Sequence, residues 1–225
     1  NALGINQQPI PFSSVQEIAY DYTDAEGKLL YQVVRYHPKD FKQRRKVNGE
    51  WVYNLNGVTP TLYRLPEVIK AQQVFLVEGE KDVDNLRLQG FTATTVSGGA
   101  SSKWRPEYTE VLTNKDIIII PDKDEPGQKY AIRIANALFG FCSSVKLVNL
   151  PDKDVSDWLE NGHTGKELMS LCESVSLYIP KGMVTREEVN DLRGFLVYKQ
   201  KQFTDIEKRL ADKKKEKSQQ EYDPF

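Results

Sequence analysis

The sequence predicts an α/β fold: a four-stranded parallel sheet flanked by helices, preceded by a small β-rich basic unit and followed by a helical tail. Three observations carry this expectation. Short apolar or β-branched runs of strand length recur at 74–77, 91–97, 116–120 and 145–150. Helical stretches separate or follow them, and strands alternating with helices describe a parallel sheet covered on both faces. The texture before residue 73 differs, with aromatic and β-branched runs broken by tight turns.

Taken in chain order, residues 1–16 read as a linker or tag remnant beginning at Asn1, and they carry no weight in the fold. A β-rich unit follows over 17–72. In it, 18–22 and 29–36 pair as a hairpin around Asp24-Ala25-Glu26-Gly27, and Trp51-Val52-Tyr53 follows a second turn at Val47-Asn48-Gly49-Glu50. These strands are short and bury little alone. The catalytic domain is expected over 73–178. Its strands are followed by helices at 81–89, 106–112, 127–141, 155–161 and 166–173; the third sets Ala131, Ile134, Ala135 and Leu138 on one face. Residues 179–225 read as a helical connector, with a capping-box start at Thr185-Arg186-Glu187-Glu188 and a mixed-charge stretch over 199–217. Trp51 and Trp158 read as core, and Glu80 and Asp84 as solvated helix residues.

Composition excludes several classes. Two cysteines and two histidines in 225 residues leave no room for a four-ligand zinc site, so no zinc is expected in this chain. No apolar run approaches the ~20 residues of a membrane helix. No leader-like start and no cysteine framework are present, which reads as cytoplasmic. The net charge of -1 gives no hint of a polyanion partner until its distribution is considered.

That distribution is the informative feature. In a parallel sheet, ligand chemistry gathers beyond the C-terminal ends of the strands. Glu78 ends the first strand, and Asp82 lies one helical turn on. Asp122 and Asp124 end the third strand, and Asp154 and Asp157 follow the fourth. Carboxylates gathered on one rim repel one another, and a hard divalent cation relieves this. Mg2+ takes one or two carboxylates together with waters and substrate phosphates. The cluster therefore points to Mg2+-dependent phosphoryl or nucleotidyl chemistry, with Mn2+ able to substitute. Plainer uses stay open: Asp124, ahead of Glu125-Pro126-Gly127, caps helices well, and Asp82 suits a helix first turn.

Gly98 and Gly99, in the segment Ser97-Gly98-Gly99-Ala100-Ser101-Ser102, let backbone N–H groups approach a phosphate on the same rim. Lys103, Trp104 and Arg105 come next, and Lys103 is a candidate contact to nucleic acid or nucleotide. A basic segment balances the acids: residues 35–46 hold six Lys/Arg, among them Arg35, Lys42, Arg44, Arg45 and Lys46, against one acid. Tyr36 and Phe41 are interleaved with them. Cations with aromatics suit single-stranded nucleic acid or nucleotide phosphates. A charge-protected edge strand is the structural alternative.

These residues resemble the TOPRIM family. Val74-Phe75-Leu76-Val77-Glu78-Gly79-Glu80-Lys81-Asp82 is similar to its first motif, Val96-Ser97-Gly98-Gly99-Ala100 to its small-residue segment, and Ile120-Pro121-Asp122-Lys123-Asp124-Glu125-Pro126-Gly127 to its Asp-x-Asp motif. Lys153-Asp154-Val155-Ser156-Asp157-Trp158-Leu159 resembles the last acidic motif of the primase branch, and Leu62-Tyr63-Arg64-Leu65 the stretch before the first strand. The resemblance implies a DNA primase core, of phage or plasmid type, making short RNA primers from NTPs on a single-stranded DNA template. It implies Glu78 as general base or metal ligand and Asp122 and Asp124 as principal Mg2+ ligands, with Asp82, Asp154 and Asp157 supporting further ions. Gly79 and Gly127 would allow close backbone approach, and Lys81 would join the basic residues that meet nucleotide or nucleic acid. In such proteins a zinc-binding module precedes this region and a helicase follows or partners it. Neither a zinc module nor a Walker A motif stands in these 225 residues. A TOPRIM nuclease or topoisomerase, and a non-catalytic single-stranded DNA-binding module, are the competing readings.

Overall fold

The computed structural model describes residues 17–38 and 40–182. The expected linker 1–16, and the expected tail from residue 183 with its capping box and charged stretch, lie outside the described residues. The chain divides after Tyr178, and the described residues up to that point form one unit.

The first layer is an antiparallel sheet of strands β1 (Glu17–Thr23), β2 (Leu29–Tyr36), β3 (Asp40–Val47) and β4 (Glu50–Val52), in the order β1-β2-β3-β4. The β1–β2 turn is held by Asp24, whose Oδ1 accepts from the N–H groups of Glu26 and Lys28. The strand carrying most of the basic segment is not an edge: β3 pairs with β2 through residues 40–44 and with β4 through 45–47. Trp51 is not core either. It is half-buried at the end strand of the sheet, flanked by the Arg44 guanidinium at 4.4 Å and the Lys46 ammonium at 5.1 Å.

A helix not foreseen from the sequence, α1 (Leu65–Lys70), links the two layers. Its signals are Pro66 at the helix start and Glu67 in the first turn. The second layer is the parallel sheet of β5 (Gln73–Leu76), β6 (Ala93–Thr94), β7 (Asp116–Ile119) and β8 (Ser144–Leu147), ordered β6-β5-β7-β8. Helices α2 (Glu80–Leu88), α3 (Pro106–Leu112), α4 (Glu125–Leu138), α5 (Val155–Glu160) and α6 (Gly165–Ser174) cover it. Only Ala93–Thr94 of the expected 91–97 strand is laddered; Val96 forms an isolated bridge to Leu62 instead. Ile117, Ile118, Ile119 and Ile120 are all buried, as a strand covered on both faces requires. One core cluster joins Ile118, Ile120, Val83 and Leu86 to Tyr20, Tyr22, Tyr31 and Val33 of the antiparallel sheet, so the small sheet does complete its core on the larger one. No helix among the described residues is long and apolar enough to cross a membrane.

Candidate active site

The register β5-β7-β8 is parallel and in step, with Leu76 beside Ile119 and Ile119 beside Leu147. Glu78, Asp122 and Asp154 therefore leave the sheet at the same edge, two to seven residues past those strand ends. There they meet the antiparallel sheet across a cleft of about 560 Å³, within the size range of nucleotide-sized ligand sites. Glu78, Asp82, Asp122, Asp154 and Asp157 line it on the rim side, with Gly79, Gly98, Gly99, Lys81 and Lys153. Tyr20, Val33, Arg35, Phe41 and Gln43 line the opposite wall.

The carboxylates differ in what holds them. Burial pushes the Asp122 carboxyl up to about 7, aided by the charges of Glu78, Asp82, Asp154 and Asp124. Asp82 is buried in α2 and accepts from both the N–H and the Oγ–H of Ser156, which locks α2 onto α5. Burial raises its carboxyl too, against the lowering effect of those hydrogen bonds. Glu78 Oε1 accepts from the Ala100 N–H at 3.4 Å, so the glycine-containing turn leans on the first acid of the rim. Asp154 caps α5 through the Asp157 N–H at 2.8 Å, and Lys153 Nζ lies 3.5 Å from its Oδ2. Asp124 is exposed, caps α4 through the Gly127 N–H at 2.7 Å, and is absent from the cleft lining. The capping use thus holds for Asp124 and Asp154, and only Asp154 also faces the cleft.

The glycines separate in the same way. A Cβ on Gly127 would stand 2.8 Å from the Asp122 carbonyl oxygen, so its close approach is to the protein's own backbone. Gly98 and Gly99 have φ of +94° and +54°, and Gly99 abuts the Glu78 side chain. Gly79 tolerates a Cβ, whose nearest neighbour would be Asp82 Oδ2 at 3.4 Å.

The basic segment is split by the pleat. Arg35 and Phe41 are cross-strand partners, and with Gln43 they face the cleft. Lys42, Arg44 and Lys46 alternate to the other face, where Lys42 lies over the Tyr36 ring, Arg44 pairs with Glu17 at 2.7 Å, and both Arg44 and Lys46 stack on Trp51. Arg45 bonds to Asn54 Oδ1, and neither it nor Lys103 lines the cleft. Lys81 does, with its Nζ bonded to Glu160 at 2.8 Å. Gln43, Lys153 and Ser156 also line the site without having been singled out; Lys153 and Ser156 stood inside a quoted motif, and the pleat would have selected Gln43.

Two expectations are corrected on α2. Asp84 is not a solvated acid: it accepts from Arg64 at 2.8 Å and from the Tyr63 hydroxyl. Glu80 is only 7% exposed, and its Oε1 accepts from the Tyr22 hydroxyl at 2.8 Å. The chain enters α2 directly after the extended Gly79, and its first residue turns inward to Tyr22 of β1. Burial raises the Glu80 carboxyl, and the Tyr22 hydrogen bond, with a smaller effect of Arg35, counters this. Tyr22 itself stacks on Tyr31 with ring centroids 4.6 Å apart. Tyr22→Phe removes the hydroxyl donor while preserving the stack, and is expected to cost about 1–3 kcal/mol. Thermal melts of the variant check this; a midpoint equal to the wild type's would show that the bond contributes nothing net.

No known family profile matches the chain. Solved structures do match the fold. Primase domains of bacteriophage T7, in a complex with lagging-strand DNA polymerase and bound to an RNA/DNA hybrid and dTTP, superpose with a TM-score of 0.53 at 21% identity. The alignment covers 74% of this chain and 81% of that one. The Escherichia coli primase catalytic core gives 0.55 at 18% identity, over 72% of this chain and 53% of that one. The chain has the TOPRIM fold of primase cores. Curated relatives overlap the chain less completely. The DNA primase DnaG of Thermofilum pendens is 36% identical over 73 residues, which are 32% of this chain and 17% of that protein. The Gene 57 protein of Mycobacterium phage D29 is 26% identical over 114 residues, 49% of this chain and 71% of that protein. The chain thus spans a small fraction of the DnaG relative's length.

Proposed function

We propose that this chain is the Mg2+-dependent nucleotidyl-transfer core of a DNA primase, making short RNA primers on single-stranded DNA as part of a longer primase or primase–helicase. The observation that carries the proposal is one cleft lined by Glu78, Asp122, Asp154 and Asp157 on one side and by Arg35 and Phe41 on the other. The donors on the rim are carboxylate oxygens, which suit Mg2+. Asp122, whose carboxyl burial and then its acidic neighbours raise to about 7, is where added positive charge would be most favourable. Among the described residues no three His, Cys, Asp or Glu side chains converge as a metal cage. Mg2+ needs only one or two carboxylates and completes its shell from waters and phosphates. Asp122 and Glu78 would hold it, with Asp154 and Asp157 beside them and the uncapped oxygen of Asp124 next to the rim. When bound, Mg2+ neutralises the charge of the transferring phosphoryl group and lowers the pKa of the attacking hydroxyl.

The chain's own groups supply the rest. Lys81, Lys153 and Arg35 draw the triphosphate toward a rim that would otherwise repel it. Glu78, which lines the cleft, takes the proton of the attacking 3'-hydroxyl. Such a protein would work on DNA in the cytoplasm, beside a zinc-binding module and a helicase carried elsewhere.

Primer synthesis on single-stranded DNA, with labelled NTPs and Mg2+ or Mn2+ and with the chain in its full-length context, tests the proposal. Product is expected, and Glu78→Ala is expected to lower it by at least about a hundredfold. Absence of product would sink the proposal, and cutting of the template in a parallel assay would replace it with a nuclease.

A further inference from the structure

The wall opposite the carboxylates carries a feature that phosphoryl chemistry does not use. Phe41 is 47% exposed, large and aromatic, and it faces a polar cleft rather than the core. Its cross-strand partner Arg35 places its guanidinium 5.9 Å from the ring centroid, close enough to favour an electron-rich π-face. Beside them the Gln43 amide makes no hydrogen bond among the described residues, although it lines the same cleft. Tyr20 and Val33 are buried beneath and form an apolar floor, with the Tyr20 hydroxyl next to Arg35. An exposed ring, a flanking guanidinium and an unused amide are the parts of a site for a flat heteroaromatic: a π-face to stack on and an edge to hydrogen-bond.

Resting on the nucleotidyl-transfer reading of the cleft, we propose that Phe41, Arg35 and Gln43 form a platform for a nucleobase whose attached phosphates reach the carboxylate rim. The alternation of β3 supports this. Phe41 and Gln43 are two residues apart and share the cleft face, while the intervening Lys42 points away. The base has two possible sources, the incoming nucleotide and the template strand.

Calorimetric titrations of the full chain with Mg2+ present separate them. The probes are ATP, tripolyphosphate, a single-stranded oligodeoxynucleotide and an abasic strand of the same length. Phe41→Ala is expected to weaken ATP binding about five- to thirtyfold and to leave tripolyphosphate within twofold, if the base belongs to the incoming nucleotide. If the base is a template base, the oligonucleotide loses that factor and the abasic strand does not. Phe41→Trp is expected to retain binding in either case, and Phe41→Leu, which keeps the apolar volume, to lose it. Unchanged affinity for both ATP and the oligonucleotide would overturn the platform. So would an equal loss of ATP and tripolyphosphate, which would mark a general distortion of the cleft. Base-dependent binding by a wild-type chain that makes no primer would leave the platform standing and remove the nucleotidyl-transfer reading. Primer synthesis with an unchanged KM for ATP and unchanged strand affinity in Phe41→Ala would do the reverse.

Discussion

Asp122→Asn is expected to abolish primer synthesis and, in the same molecule, to stabilise the fold above neutral pH. The first effect follows from its place at the third strand end, among the acids that would hold Mg2+; loss of such a group costs about a hundredfold or more. The second follows from linkage. The Asp122 carboxyl titrates at about 7 in the folded chain, against 3.8 for the unperturbed group. Between those values the unfolded chain has released the proton and the folded chain still binds it. The unfolded state is therefore favoured progressively as pH rises from about 4 to 7, and the penalty is constant above that. The three-unit shift is an upper limit of about 4 kcal/mol, which partial solvent exposure reduces to about 1–2 kcal/mol. The variant carries no charge there, so its melting midpoint should exceed the wild type's by about 2–8 °C at pH 8, with the gap closing below pH 4. Mg2+ should raise the wild-type midpoint at pH 8 and leave the variant unmoved. A midpoint insensitive to Mg2+ in both proteins would remove the ion from the rim. Equal midpoints at pH 8 would show that the acids are already neutralised by other means.

This opposition explains why the site was more legible in the sequence than its supports. Glu78, Asp82, Asp122, Asp154 and Asp157 could be placed from strand ends alone, because a parallel sheet delivers successive strand ends to one edge. What the sequence could not fix was how far each acid is spoken for. Asp124 and Asp154 each cap the helix that follows a strand of the parallel sheet. The first turns outward to cap α4, and the second lines the cleft. The difference arises from how α4 and α5 sit on the sheet, and tertiary packing decides that. Glu80 was misread for the same reason: a charged residue in a first turn is ordinarily solvated, and only the docking of β1 over α2 buries it. The basic segment failed differently. Its charge was evident, but the alternation of β3 sends half of it away from the cleft, and pairing on both sides of β3 fixes which half. Helix α1 was missed because it lacks a capping side chain: its N-cap is Arg64, whereas the equally short α5 opens on the capping Asp154.

Gly127→Ala is expected to damage catalysis without removing any functional group of the site. In the third position of α4, alanine is intrinsically better than glycine by about 1 kcal/mol, so propensity alone predicts a gain. The contacts predict the opposite. The new Cβ would lie 2.8 Å from the Asp122 carbonyl oxygen, 3.0 Å from Asp122 Cβ and 3.0 Å from Asp124 Oδ1. Two of those neighbours belong to the segment that positions Asp122, and the third is the cap that fixes the start of α4. Relief requires the helix start and the Asp122 segment to separate. The overpacking cost of about 1–3 kcal/mol outweighs the propensity gain. A shift of the carboxylate by as little as about 1 Å is worth on the order of a hundredfold in rate. Gly162 provides the control: it has φ +91° and no atom within 4 Å of a Cβ, so Gly162→Ala should lose stability through backbone strain alone and keep its activity. Melting midpoints and primer yields of the two variants check the comparison. If Gly127→Ala melts at or above the wild type and primes normally, α4 yields freely at its start, and the close approach does not hold Asp122 in place.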